Sequence, residues 1–95
     1  MISPIEYSAI KSGIIAISLY LAKYCKGQNI RFNCISPWGI LDNQPESFLD
    51  RYQKNCLSKG ILDPEDVTGT LIFLLSDQSK YVNGQNIIVN DGWGL

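Results

Sequence analysis

The 95-residue sequence holds 45% hydrophobic and 18% charged residues with a formal net charge of -1, a balance that suits one small globular domain and is too apolar for a disordered tail. Its eight Lys and Arg are scattered rather than clustered, which removes the basic footprint that phosphate-backbone binding needs and argues against nucleic acid as a partner. The chain has no histidine, and Cys25, Cys34 and Cys56 form no CxxC pair, so the residues expect no metal site and reduced, cytosolic thiols.

Met1-Ile2-Ser3-Pro4 places no basic stretch before an apolar run, and the longest apolar-rich stretch, Gly13 to Ala22, is too short to span a bilayer. The sequence therefore predicts a soluble, cytoplasmic protein with no membrane contact. From Ile5 to about Lys26, the residues Ile10, Ile14, Ile17, Leu21 and Tyr24 recur at spacings of four and three, the signature of one helical face. Ala9, Ile15, Ala16, Leu19 and Ala22 make the helix apolar nearly all round, so it expects a sheet beneath and a partner above. Ser3-Pro4 suits its start and Gly27 its end.

Residues 29 to 36 alternate Ile30, Phe32 and Cys34 with Arg31, Asn33 and Ile35, which predicts a strand. Pro37, Gly39, Asp42, Asn43 and Pro45 predict a loop over 37 to 45, and Glu46 to Leu57 a second helix whose apolar face is diluted. Asp63-Pro64-Glu65-Asp66 reads as a helix start, with Asp63 as the capping side chain and the acids opposing the positive end of the dipole. The apolar face that follows is Val67, Leu71, Leu74 and Leu75, ending near Ser76-Asp77. Asn83-Gly84 is a turn signal before Gln85-Asn86-Ile87-Ile88-Val89, a short buried strand. Two strands separated by a helical crossover predict a parallel pair and hence an α/β fold.

Tyr7 and Lys11 stand four residues apart on the first turns of the first helix, so phenol and ammonium share a face. A nearby positive charge favours phenolate and suits the tyrosine to exchanging a proton with a substrate hydroxyl or carbonyl. A Tyr-x-x-x-Lys pair by itself arises readily by chance, and its bland counterpart is an exposed tyrosine beside a solvated lysine. The succession around it is more specific: the pair opens a long apolar helix, Ile-Arg-Phe-Asn-Cys-Ile-Ser-Pro follows, and an Asp-Pro-Glu-Asp-Val helix leads through Leu-Leu-Ser-Asp to Asn-Gly-Gln and Val-Asn-Asp-Gly.

Over residues 3 to 95 this order of motifs resembles the C-terminal half of the short-chain dehydrogenase/reductase family. The resemblance implies the C-terminal part of a Rossmann-like, doubly wound parallel sheet in a single domain, with an incomplete fold, and the activity of an NAD(P)-dependent oxidoreductase on a hydroxyl or carbonyl substrate. Residue by residue, it implies Tyr7 as catalytic acid/base and Lys11 as the lysine that holds the nicotinamide ribose hydroxyls. Pro37 and Ile40 fall where the family's backbone meets the nicotinamide carboxamide, and residues 41 to 60 match the variable substrate lid. The lid sequence loosely resembles bacterial members tied to surface-sugar or flagellin modification.

Three departures accompany the resemblance. The chain reads Pro37-Trp38-Gly39 where the family has Pro-Gly, which puts an indole where the backbone normally approaches the cofactor, be it NAD or NADP. Asp42 or Asn43 stands where the family has a hydroxyl-bearing threonine, and Asp42 would repel a pyrophosphate. No Gly-x-x-x-Gly-x-Gly turn is present to hold that pyrophosphate at a helix N-terminus. The isolated chain is thus expected to be inactive and, through an unpaired strand edge and the family's dimer helix, homo-oligomeric or strand-swapped. A non-catalytic assembly or remnant domain on the same scaffold is the alternative.

Overall fold

The computed structural model describes residues 4–95. Its centre is a two-stranded sheet in which β1 (Cys34–Pro37) runs parallel to β2 (Asn86–Val89), pairing Cys34 with Asn86, Ile35 with Ile87, Ser36 with Ile88 and Pro37 with Val89. Backbone bonds prolong the ladder at both ends, from Cys34 N–H to the Gln85 carbonyl at 2.8 Å and from Trp38 N–H to the Val89 carbonyl at 3.1 Å. Parallel neighbours require a crossover, and here it carries α2 (Glu46–Gln53) and α3 (Glu65–Leu75), followed by a single 3₁₀ turn (Asp77–Ser79). The α/β class and the parallel pair agree with the sequence expectation.

The first strand is shorter than the alternation over 29 to 36 predicts. Upstream of Cys34 the backbone takes side-chain partners: Phe32 N–H donates to Asn83 Oδ1 at 3.1 Å, and Gln85 N–H to Asn33 Oδ1 at 3.0 Å. Asn33 Nδ2 donates to the Val82 carbonyl at 2.8 Å. Alternation assigns residues to faces, whereas a ladder needs a second backbone in register, and here two asparagines stand in for it. In β2, Ile88 is 56% exposed, so the strand predicted as buried is covered on one side only.

The long helix α1 (Ile5–Tyr24) starts after Pro4, which occupies the N-cap position, while Ser3 lies outside the described residues. It ends two residues before the predicted Lys26, and Gly27 follows in the left-handed region at φ 81°. Its covered side differs from the predicted one. Ile10, Ile14, Ile17 and Tyr24 of the apolar stripe are 50% to 68% exposed, whereas Ile15, Ser18, Ala22 and Cys25 form the half-buried face together with Leu21. Leu19 and Ala22 close over Gly84, where a Cβ would come within 3.5 Å of Ala22. Periodicity marks a face as apolar without saying what covers it. At 20 residues, about 30 Å long, α1 is also long and apolar enough to cross a membrane by length and composition. The shorter Gly13 to Ala22 stretch understated it.

Two further expectations change. Pro64 rather than Asp63 takes the N-cap position of α3, and no side chain caps the helix; instead Asp63 N–H donates to Asp66 Oδ2 at 2.8 Å, and the Asp63 carboxylate accepts Lys59 Nζ at 3.0 Å. On α3, Val67 and Leu74 are half-buried and Leu71 and Leu75 exposed, and α2 stops at Gln53, leaving Leu57 exposed beyond it.

The buried centre is small: Cys34, Gly60, Leu62 and Ser79 among the described residues. Leu62 forms a parallel bridge with Ile40, donating its N–H to the Gly39 carbonyl at 2.9 Å and accepting Leu41 N–H at 2.7 Å. Arg31 reaches across to the 3₁₀ turn after α3, donating through Nη1 to the Ser79 carbonyl at 2.7 Å and to Ser79 Oγ at 2.8 Å. The chain exposes 7437 Å², whereas a compact monomer of its mass exposes roughly 5,500 Å². Its radius of gyration is 15.7 Å, against about 12 Å for a compact domain of this length. The excess of roughly 2,000 Å² is more than the ~800 Å² that one partner contributes to a standard protein interface.

These burial patterns separate two substitutions. Leu62→Ala, which empties a site only 5% exposed, should lower stability by about 2–4 kcal/mol. Ile17→Ser, on the uncovered stripe, should change it by less than about 0.5 kcal/mol in dilute solution. Urea unfolding followed by circular dichroism measures both, and equal losses would place the core elsewhere.

Candidate functional site

Tyr7 and Lys11 lie on the first turns of α1, and the structure brings them together: Lys11 Nζ stands 5.5 Å from the centroid of the Tyr7 ring. Tyr7 is 55% exposed, so the pair is open to a reactant. The helix spacing alone produces this arrangement, because residues four apart stack on one face.

Pro37, expected in the loop, is the last residue of β1, paired with Val89, and Ile40 sits in the segment that leaves the strand. Trp38 N–H is bound to β2 through the Val89 carbonyl, and the bridge to Leu62 uses the groups on either side of Ile40. As a result the Ile40 N–H has no partner among the described residues, while its carbonyl accepts Gln44 Nε2 at 3.0 Å. Gln44 also accepts the Asp42 N–H at 2.7 Å, closing a tight turn in which Asn43 takes φ 58°. A free, half-buried N–H next to a strand end is the kind of donor that a ligand amide oxygen can use. The Ile40 N–H is thus a donor in this loop, without a partner among the described residues, that could meet a carboxamide oxygen. The departure at Trp38 resolves into packing: its ring lies 4.9 Å from that of Trp93.

The loop and the segment after it are braced by residues that the sequence reading did not single out. Gly39 N–H donates to Tyr52 Oη at 2.8 Å, and Tyr52 packs between Phe48, 5.9 Å away, and Trp93, 6.2 Å away. Asp91, at φ 52°, collects the turn after α2: it accepts Ser58 Oγ–H at 2.6 Å, Ser58 N–H at 3.1 Å and Gly60 N–H at 2.8 Å. The Ser58 hydroxyl, then the Gly60 N–H, hold its carboxyl below the ordinary aspartate range. Desolvation, followed by the Asp91 charge, pushes the Cys56 thiol up. Hydrogen bonds to Asp66 and Asp63 raise Lys59, and the bond from Lys59 lowers Asp66. The Asn90-Asp91-Gly92 turn signal marked this place, but a carboxylate's distant partners are invisible in a linear pattern.

A separate cleft of about 1260 Å³ opens at the other end of α1, lined among others by Leu19, Lys23, Lys26, Arg31, Lys80 and Tyr81. Lys23 is sixteen residues, about 24 Å, along the helix from Tyr7, so the cleft is distinct from the Tyr7–Lys11 site. Among the described residues, no three His, Cys, Asp or Glu side chains converge.

Comparison with known proteins places the arrangement. Residues 3–94 match the family model described as enoyl-(acyl carrier protein) reductase. Over all 95 residues the chain is 56% identical to post-translational flagellin modification protein A of Campylobacter coli, of which it covers 37%. It is 38% identical over 92 residues to a 3-oxoacyl-[acyl-carrier-protein] reductase of Chlamydia muridarum, covering 92% of this chain and 37% of that protein. Among solved structures, a short-chain dehydrogenase from Leptospira borgpetersenii with bound NAD+ superposes with a TM-score of 0.88 at 39% identity, covering 94% of this chain and 35% of that one. A 4-hydroxyisoleucine dehydrogenase complexed with NADH gives 0.83 at 29% identity, over 98% and 40%. The chain belongs to the short-chain dehydrogenase/reductase family. Its two parallel strands and flanking helices are part of that family's Rossmann-type sheet, and it spans little more than a third of the length of the relatives it matches.

The Asp91 contacts carry a pH dependence with a definite sign. A carboxyl lowered in the folded state adds stability that is fully present above its ordinary value and lost as the pH falls through the lowered one, here below about pH 4. Asp91→Asn should therefore flatten the loss of stability below about pH 4, a loss to which Asp66, also lowered, contributes. Urea midpoints at pH 6 and pH 3 measure it, and an unaltered difference between the two would mean that Asp91 is not a brace.

Proposed function

We propose that this chain is the C-terminal, catalytic portion of an NAD(P)-dependent oxidoreductase acting on a hydroxyl or carbonyl group. The observation that carries the reading is the Tyr7–Lys11 pair, one helical turn apart with ammonium and ring 5.5 Å from each other. Tyr7 passes a proton to or from the substrate oxygen, with the Lys11 ammonium beside its ring. Lys11 would also hold the nicotinamide ribose, and the Ile40 N–H, which has no partner among the described residues, would orient the carboxamide. When bound, the cofactor supplies or accepts the hydride.

The pyrophosphate has no glycine-rich turn in these 95 residues, and the separate chain is accordingly inactive. Residues 41–60, with α2 and the aromatic cluster, serve as the substrate lid. A carbohydrate substrate of the kind used in surface or flagellin modification is supported by the 56% identity to the Campylobacter coli protein named for that role. The apolar stripe of α1 is a protein-covered face of the whole subunit, which accounts for its composition without a membrane and suits a cytoplasmic enzyme.

A second reading, a non-catalytic assembly domain, is favoured by the uncovered stripe and the roughly 2,000 Å² of excess surface. Joining the chain to the upstream two thirds of the Campylobacter coli relative and following NADH and NADPH oxidation separates the two. Catalysis should appear, and Tyr7→Phe should lower kcat by about 10²- to 10⁴-fold. A loss of less than about tenfold would remove Tyr7 from the reaction. The separate chain should self-associate at micromolar concentration, and a monodisperse 10.6 kDa species in sizing chromatography with light scattering would contradict that.

A further inference from the structure

The loop between β1 and α2 changes its support in the middle. Trp38 N–H is held by β2, through Val89. One residue later both backbone polar groups of Gly39 are held by the crossover: its N–H by Tyr52 Oη at 2.8 Å, its carbonyl by the Leu62 N–H at 2.9 Å. The Tyr52 ring lies directly under Gly39, so that a Cβ there would come within 2.8 Å of Tyr52 Cζ. Glycine is required at 39 by this ring, since its φ is not in the left-handed region.

Tyr52 is itself gripped. Phe48, one turn earlier on α2, stacks at 5.9 Å and an interplanar angle of 27°, and Trp93 leans on it at 6.2 Å. Trp93 in turn meets Trp38 at 4.9 Å. The four rings thus join three separate stretches of chain: the loop, α2 and the C-terminal segment. Any displacement of α2 is transmitted through Tyr52 to Gly39 and so to the adjoining free N–H of Ile40.

The geometry points to Tyr52 as a positioning residue that couples the lid helix to the cofactor-facing loop, setting the place of the Ile40 N–H through Gly39. This rests on the reading of Pro37 and Ile40 as nicotinamide contacts. Tyr52 touches no reacting atom and acts only through Gly39.

Tyr52→Phe keeps the ring and removes the acceptor. In the full chain, hydrogen exchange at the Gly39 amide should accelerate about three- to tenfold, the range expected for one hydrogen bond, with the Cys34 and Trp38 amides unaltered. Unchanged exchange at Gly39 overturns the proposal. In the subunit joined to the Campylobacter coli upstream region, the same variant should raise the KM for the cofactor about three- to tenfold with kcat within about twofold. Asp91→Asn, which loosens the same C-terminal segment without touching Gly39, should lower thermal stability without that KM effect. An equal rise in both variants would make Tyr52 merely structural and overturn the coupling. Absence of turnover in the unmutated fusion would count against the oxidoreductase reading, while the Gly39 amide still decides for or against the clamp.

Discussion

Everything else in this protein hangs from four parallel rungs between β1 and β2. They hold residues 34–37 beside 86–89, and through the flanking bonds at Cys34 and Trp38 they determine where the first strand hands over to the loop that carries Ile40. The crossover is then obliged to leave at one end of the sheet and return at the other. Leu62, bridged to Ile40, plugs the inside of that circuit, and Arg31 fastens its far side to Ser79 in the 3₁₀ turn after α3. Little in the molecule is buried apart from these attachments.

The Tyr7–Lys11 pair depends on the same ladder at one remove. Tyr7 and Lys11 are carried on a helix that meets the rest of the chain where Leu19 and Ala22 close over Gly84. That contact is twelve residues from Tyr7, about 18 Å along the helix. The rigidity of α1 keeps phenol and ammonium in register with each other. Their place relative to the loop is set by a contact near the opposite end, and by whatever covers the stripe from Ile10 to Tyr24.

How much of this was legible in the sequence follows from the range of each signal. The Tyr7–Lys11 juxtaposition, the extent of α1 and the start of α3 are local consequences of helical spacing and of Pro64, and the chain states them openly. The parallel pairing was inferable because a helix lay between two strand patterns. The true length of β1 was not, since it depends on the Asn33 and Asn83 side chains reaching backbone groups about fifty positions away. Nor were the clamp of Tyr52 on Gly39 and the three bonds collected by Asp91, which join residues that no periodicity relates. The face of α1 that would be covered was misread for a related reason: a hydrophobic stripe records which residues are apolar, and among the described residues little lies against this one.

The rungs join residues 52 positions apart, as in Cys34 with Asn86. Contacts so distant in sequence form slowly, because the intervening chain must give up its freedom before any rung repays it. During that search the polypeptide has helices but no fastened sheet, and the uncovered side of α1 is at its most adhesive. A handling protocol for this protein is therefore better judged by how fast it brings the two strand segments together than by how warm or cold the final solution is.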